Sequence, residues 1–170
     1  MKKARLLTAS LIVAAAAGFS SAALAETCLP VSGAVNTVNT SLLTQEGTID
    51  LVVSNADGNV VMNETGALNG VITGAGAFGQ TILSHTAKFT RGGFVTIGDE
   101  AFITGVRAVD DQNIPCSFFV TETITNMASG SGFFSSITRA HIVAEGFVSF
   151  CVQENANQFA LSGQLCRGGR

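Results

Sequence analysis

Three side chains have the types and separation to build a polar site: Glu122, Arg139 and His141, with His85 as a candidate fourth member. A carboxylate, a guanidinium and an imidazole gathered in an apolar space could grip the polar end of a small molecule. The planar fork of Arg139 would take a carboxylate or another anionic head group. Phe118, Val120, Ile124 and Val143 alternate with these residues and would hold an apolar tail. The bland alternative is a buried Glu–Arg pair that satisfies itself and binds nothing.

The grouping rests on a strand register. Ser117–Met127 and Phe133–Val143 read as one hairpin turning at Gly130-Ser131, where glycine at the first central position suits a type II′ turn. That turn sets Phe118 opposite Val143, Val120 opposite His141, Glu122 opposite Arg139 and Ile124 opposite Ile137. The other face is largely Thr, Ser and Ala. Slipping by one residue would set Glu122 against Thr138 or Ala140. A cation across from the carboxylate favours the first register.

Two more hairpins are expected. One runs Ile49–Ser54, turns at Asp57-Gly58 in a two-residue loop, and returns over Val60–Asn63. The other runs Thr81–Thr90, turns at Arg91-Gly92-Gly93 and returns from Phe94. Alternation there places Leu83, His85, Ala87 and Phe89 on one face, and sets Asp99 or Glu100 across from His85. A carboxylate facing an imidazole would fix its tautomer or raise its pKa.

Other chemistry has less support. A metal would need His85, His141 and a carboxylate such as Glu122 to converge from three strands, with no HxH or HExxH motif; no metal and no cofactor is expected. No GxSxG elbow marks a nucleophilic serine. Asp99-Glu100 and Asp110-Asp111 are adjacent, so each pair splits between two strand faces or sits in a turn, and neither is a ready acid–base dyad.

The frame that positions these residues is small and exported. Residues 1–25 have a positive start, an apolar run from Leu6 to about Ala17 and the small-residue ending Ala23-Leu24-Ala25, the three parts of a cleavable secretion signal. The run is short for a membrane crossing, which takes roughly 20 residues, and the Lys- and Ala-rich leader has a bacterial look. Removing 25 residues from 170 leaves 145, one domain spanning 26–170. Six basic and twelve acidic residues remain there, a net charge of −6. That balance speaks against nucleic acid as a partner and gives no basic stripe for an anionic membrane surface. No stable membrane insertion is expected once the signal is gone, and the address is the periplasm or the extracellular space.

All four cysteines, Cys28, Cys116, Cys151 and Cys166, follow the signal, so two disulfides are expected. Of three possible pairings, Cys28–Cys166 with Cys116–Cys151 ties the chain ends together. Trp and Tyr are absent, while eleven Phe follow the signal. Phe serves cores and greasy pockets, whereas sugar-binding surfaces and membrane girdles use Trp and Tyr.

Short runs rich in Val, Ile, Thr and Phe, broken by Gly, Asn, Asp and Ser, read as strands and turns. A short helix is expected over Thr40–Gln45. About eight to ten strands fit the length, and an antiparallel barrel, or alternatively a two-sheet sandwich, closes them. Glycines inside strands, among them Gly70 and Gly74, would allow barrel bends. The stretch Gly70–Phe78 resembles the Gly-rich strand of allene oxide cyclase-like and dirigent-like barrels over nine residues, and no residue role is carried across from it.

The function expected from these features is a non-enzymatic binding module for a small apolar or amphipathic ligand, met at its polar end by Arg139 and His141. Two rival classes fit the same scaffold. One is a structural or adhesive protein of the cell surface; the other is a barrel isomerase or cyclase using Glu122 or His141 as a base.

Overall fold

The computed structural model describes residues 26–168; the expected secretion signal lies outside them. Ten strands form one antiparallel sheet: β1 Thr27–Asn39, β2 Thr44–Ser54, β3 Val60–Ala75, β4 Thr81–Phe89, β5 Gly92–Thr96, β6 Asp99–Val109, β7 Pro115–Ile124, β8 Met127–Gly132, β9 Ile137–Ser149 and β10 Asn157–Arg167. The only helical element among the described residues is a 3₁₀ turn at Phe133–Ser136. The helix expected over Thr40–Gln45 is instead the β1–β2 turn and the start of β2. Thr40 and Ser41 N–H groups donate to the Thr44 carbonyl there, and the Thr and Ser hydroxyls bond locally, as such residues do in turns.

Strands pair in the order β3-β2-β1-β10-β9-β7-β6-β4-β5-β8, and β3 also pairs with β4. The first and last of these strands are neighbours from Thr27 opposite Arg167 to Thr37 opposite Asn157. Alternation sorts each strand into two faces. Leu29, Val31 and Val35 of β1, Ile49, Leu51 and Val53 of β2, and Phe159, Leu161 and Leu165 of β10 share one buried core. Both expected disulfides are present, Cys28–Cys166 across β1 and β10 and Cys116–Cys151 between β7 and the loop after β9.

The first hairpin has the expected strands and a longer turn. Asn55 organises it: its side-chain oxygen accepts from the Asp57 and Asn59 N–H groups, and its own N–H donates to the Asn59 carbonyl. An Asx side chain that bonds its own backbone replaces the tight two-residue turn.

The Gly130-Ser131 hairpin does not form. β7 pairs with β9 with Glu122 opposite Ala144 and Thr123 opposite Val143, five residues further along β9 than the sequence register. The connection between them carries β8, which pairs with β5, and the 3₁₀ turn, which sinks Phe134 into the core at 1% exposure. Phe134 stacks with Phe89, Phe94 and Phe133 at centroid distances of 5.0–5.5 Å. Four apolar rings gathered in this way outweigh the preference of a Gly-Ser dipeptide for a tight turn.

Candidate functional site

An odd shift in register reverses which residues of β9 face inward. Ala140, Ile142 and Ala144 are buried, while Arg139 and His141 point outward. Arg139 has a side chain 62% exposed and pairs with Glu26. His141 is exposed on the same outer face. The expected Glu122–Arg139–His141 cluster is therefore corrected: of the three, only Glu122 is inside. The set of His85, His141 and Glu122 weighed for a metal does not converge, for the same reason.

His85 does meet Glu122, and Asp99 joins them. His85 Nδ1 lies 2.9 Å from Asp99 Oδ2 and 3.3 Å from Glu122 Oε1. The three side chains are 0–7% exposed. Asp99 reaches the ring by a different route from the one expected, because it pairs with Leu83 rather than with His85. The chain breaks between β5 and β6 at Gly98, which has φ +70°, a conformation that suits glycine. β5 and β6 then lie one after the other along the same edge of β4. Thr96, the last residue of β5, fills the corner. Its hydroxyl donates to Asp99 Oδ2 and accepts from the His85 backbone N–H at 3.1 Å. Glu100 turns to solvent, as alternation requires.

On its other side the ring meets Gln45 of β2, with Nε2 to Nε2 at 3.4 Å. Gly70 of β3 lies between them. A Cβ there would come within 2.7 Å of Gln45 and 2.9 Å of the His85 ring, so the absence of a side chain is what lets the two groups approach across β3.

The orientation of Gln45 follows from a chain of donors. The Ser149 backbone N–H can only donate, and it does so to Asn157 Oδ1 at 3.1 Å. Asn157 Nδ2 therefore donates onward to Gln45 Oε1 at 3.1 Å, which also accepts from the Thr37 hydroxyl. The Gln45 amide nitrogen is left facing His85 Nε2. In the neutral ring that nitrogen is thus the acceptor, and the ring hydrogen sits on Nδ1, toward Asp99.

Burial dominates the electrostatics. Desolvation raises the Glu122 pKa; the His85 charge opposes this and Asp99 reinforces it. Desolvation pulls the His85 pKa down, but the Asp99 hydrogen bond and the Glu122 and Asp99 charges outweigh it and raise it overall. Glu122 Oε1 and Asp99 Oδ1 are buried without a hydrogen-bond partner among the described residues.

Glu122 forms the floor of a cavity of about 150 Å³. Phe118, Val120, Leu83, Ala101, Ile72 and Phe159 form much of its wall. A second cavity of about 30 Å³ continues from Glu122 past His85 and Ile124 toward Phe94. Five of the eight residues expected at a ligand site, Glu122, His85, Phe118, Val120 and Ile124, line one or both cavities; Arg139, His141 and Val143 do not. The mouth is rimmed by Leu42, Leu43, Ile103 and Phe150, which are 80%, 57%, 63% and 42% exposed. Sequence reasoning set Asp99 or Glu100 across from His85 and missed Thr96 and Gln45. Asp99 was legible as sharing a face with Ala101, whereas Gln45 was hidden in an expected helix.

No protein family, curated protein or solved structure compared with this chain matches it.

Proposed function

We propose that this chain is an exported β-barrel, acting in the periplasm or outside the cell, that binds a small apolar molecule through its open end. The β3–β4 pairing supports closure, because it joins strands that stand apart in the sheet order. Two disulfides belong to an oxidising compartment. The observation that carries the binding reading is the cavity itself: it is walled by apolar side chains, floored by one carboxyl group and ringed by exposed Leu and Phe. Exposed apolar rims of this kind mark binding sites on soluble proteins. About 150 Å³ accommodates a benzene-sized group when the walls are apolar, so the pocket suits a single ring or a short chain with its remainder in the mouth.

Replacing Ala101, which lines the cavity beside Leu83, by Phe fills that space. Native mass spectrometry and thermal melting with a six-to-eight-carbon apolar probe test the reading. The parent protein is expected to retain the probe and melt higher with it, and Ala101→Phe to do neither. A parent protein indifferent to every such probe would refute the proposal.

A second reading is favoured by the Asp99–His85–Glu122 cluster. A raised carboxyl pKa in a water-poor cavity suits proton transfer to a bound molecule. Recovery of a chemically altered probe would select this reading, and recovery of the unaltered probe would select binding alone.

A further inference from the structure

Resting on the binding reading above, we propose that the cavity selects a small apolar amine, whose ammonium group sits on the Glu122 carboxylate at the cavity floor.

Charge count comes first. Among the described residues, no Lys or Arg lines either cavity, and Glu122 is the only carboxyl group lining them. Among the described residues, the titratable groups facing Glu122 are His85 from β4 and Asp99 from β6. Two carboxylates thus share one imidazole, which can supply at most one positive charge. Buried carboxylates need a proton or a cation.

Hydrogen-bond direction narrows the choice. The His85 Nδ1 hydrogen points to Asp99 at 2.9 Å, leaving Glu122 Oε1 off its axis at 3.3 Å with no hydrogen bond. Glu122 is 5% exposed and lines the cavity, with its buried Oε1 turned toward His85. An incoming donor meets a carboxylate that no donor among the described residues satisfies. An anionic head group would meet like charge and no guanidinium, since Arg139 is outside.

A metal ion would be a rival cation for the same three residues, whose ligand atoms all lie within 4.8 Å of one another. A metal-bound imidazole donates its distal N–H to an acceptor. Here the distal nitrogen faces the Gln45 amide donor, which the chain from Ser149 holds in place. The second shell is therefore wrong for a metal. An ammonium asks nothing of that nitrogen, and its alkyl or aryl remainder lies against Phe118, Val120 and Leu83.

Calorimetric titration of the disulfide-bonded mature chain with octylamine, octanol and octanoate tests the proposal. Octylamine should bind about tenfold or more tighter than octanol, the scale of a hydrogen bond to a charged group, with octanoate weakest. Glu122→Gln should bring octylamine down to octanol. The unmodified protein carries an independent check should that variant not fold. Lowering the pH through the raised Glu122 pKa should weaken octylamine and leave octanol unchanged. Equal affinity for amine and alcohol, or preference for octanoate, overturns the amine inference while leaving the binding reading intact. Stoichiometric zinc or manganese uptake that blocks octylamine overturns it in favour of a metal. Failure of all three probes to bind refutes the binding reading itself.

Discussion

The two ends of this sheet are built from the same kinds of residue and treated in opposite ways. At one end, where β1 turns into β2 and β9 ends, Leu42, Leu43 and Phe150 stand exposed around an opening. At the other, Phe89, Phe94 and Phe134 close over one another, and the connection from β7 to β9 is spent as a plug. Composition alone does not distinguish a core from a mouth. What distinguishes them is whether the chain supplies a segment that turns a side chain inward: the 3₁₀ turn at Phe133–Ser136 does so with Phe134 at the closed end, and the four-residue β1–β2 turn leaves Leu42 and Leu43 exposed at the open one.

The contrast can be broken most forcefully at the closed end. Phe134→Ala should cost about 3–5 kcal/mol, the usual range for emptying a fully buried aromatic site, read from urea unfolding. A loss below about 1 kcal/mol would show that the plug is not part of the core. Next in size is the link between the chain ends. Replacing Cys28 and Cys166 together by Ser should lower stability by about 2–4 kcal/mol without disturbing Cys116–Cys151, which mass mapping of the remaining disulfide would verify.

A smaller effect sharpens the comparison at the cavity floor. Glu122 and His85 both have pKa values raised on folding, from ordinary values of 4.5 and 6.5. Each holds its proton more tightly folded than unfolded, so its stabilising contribution is complete below the ordinary value and is lost as pH rises through the folded one. The unfolding midpoint should therefore fall as pH climbs from about 4.5 toward neutrality and beyond. Glu122→Gln should flatten the lower part of that slope and leave the His85 part. A midpoint rising through the same interval would contradict the assignment. The smallest change is expected at the mouth: Leu42→Ser should alter stability by no more than about 0.5 kcal/mol, yet weaken an apolar probe in the titration.

How much could be read from sequence follows the same divide. Local signals were reliable: the strand-and-turn texture, the ends of the first hairpin, the inward face of β4 carrying Leu83, His85 and Ala87, and the pairing of four cysteines. Each depends on neighbours in sequence or on simple closure. Register across a connection was not reliable. Gly130-Ser131 has the chemistry of a tight turn, and Glu122 opposite Arg139 looked like a designed pair, but both cues are worth less than burying Phe134. That one error reversed the facing of β9 and moved a guanidinium and an imidazole from inside to outside. The carboxylate beside His85 was foreseen as a contact while its pairing was not, because Gly98 redirects the chain between β5 and β6.

The pairing of β1 with β10 has a consequence for how the molecule comes into being. β1 carries Leu29, Val31 and Val35 along an edge whose partner is not synthesised until residues 157–167. Until then that edge is bare, and bare apolar edges invite pairing with other chains. Contacts this remote in sequence also slow folding. A nascent chain is thus safest if kept unfolded until its last strand is available, and any delay between β1 and β10 becomes a window for aggregation.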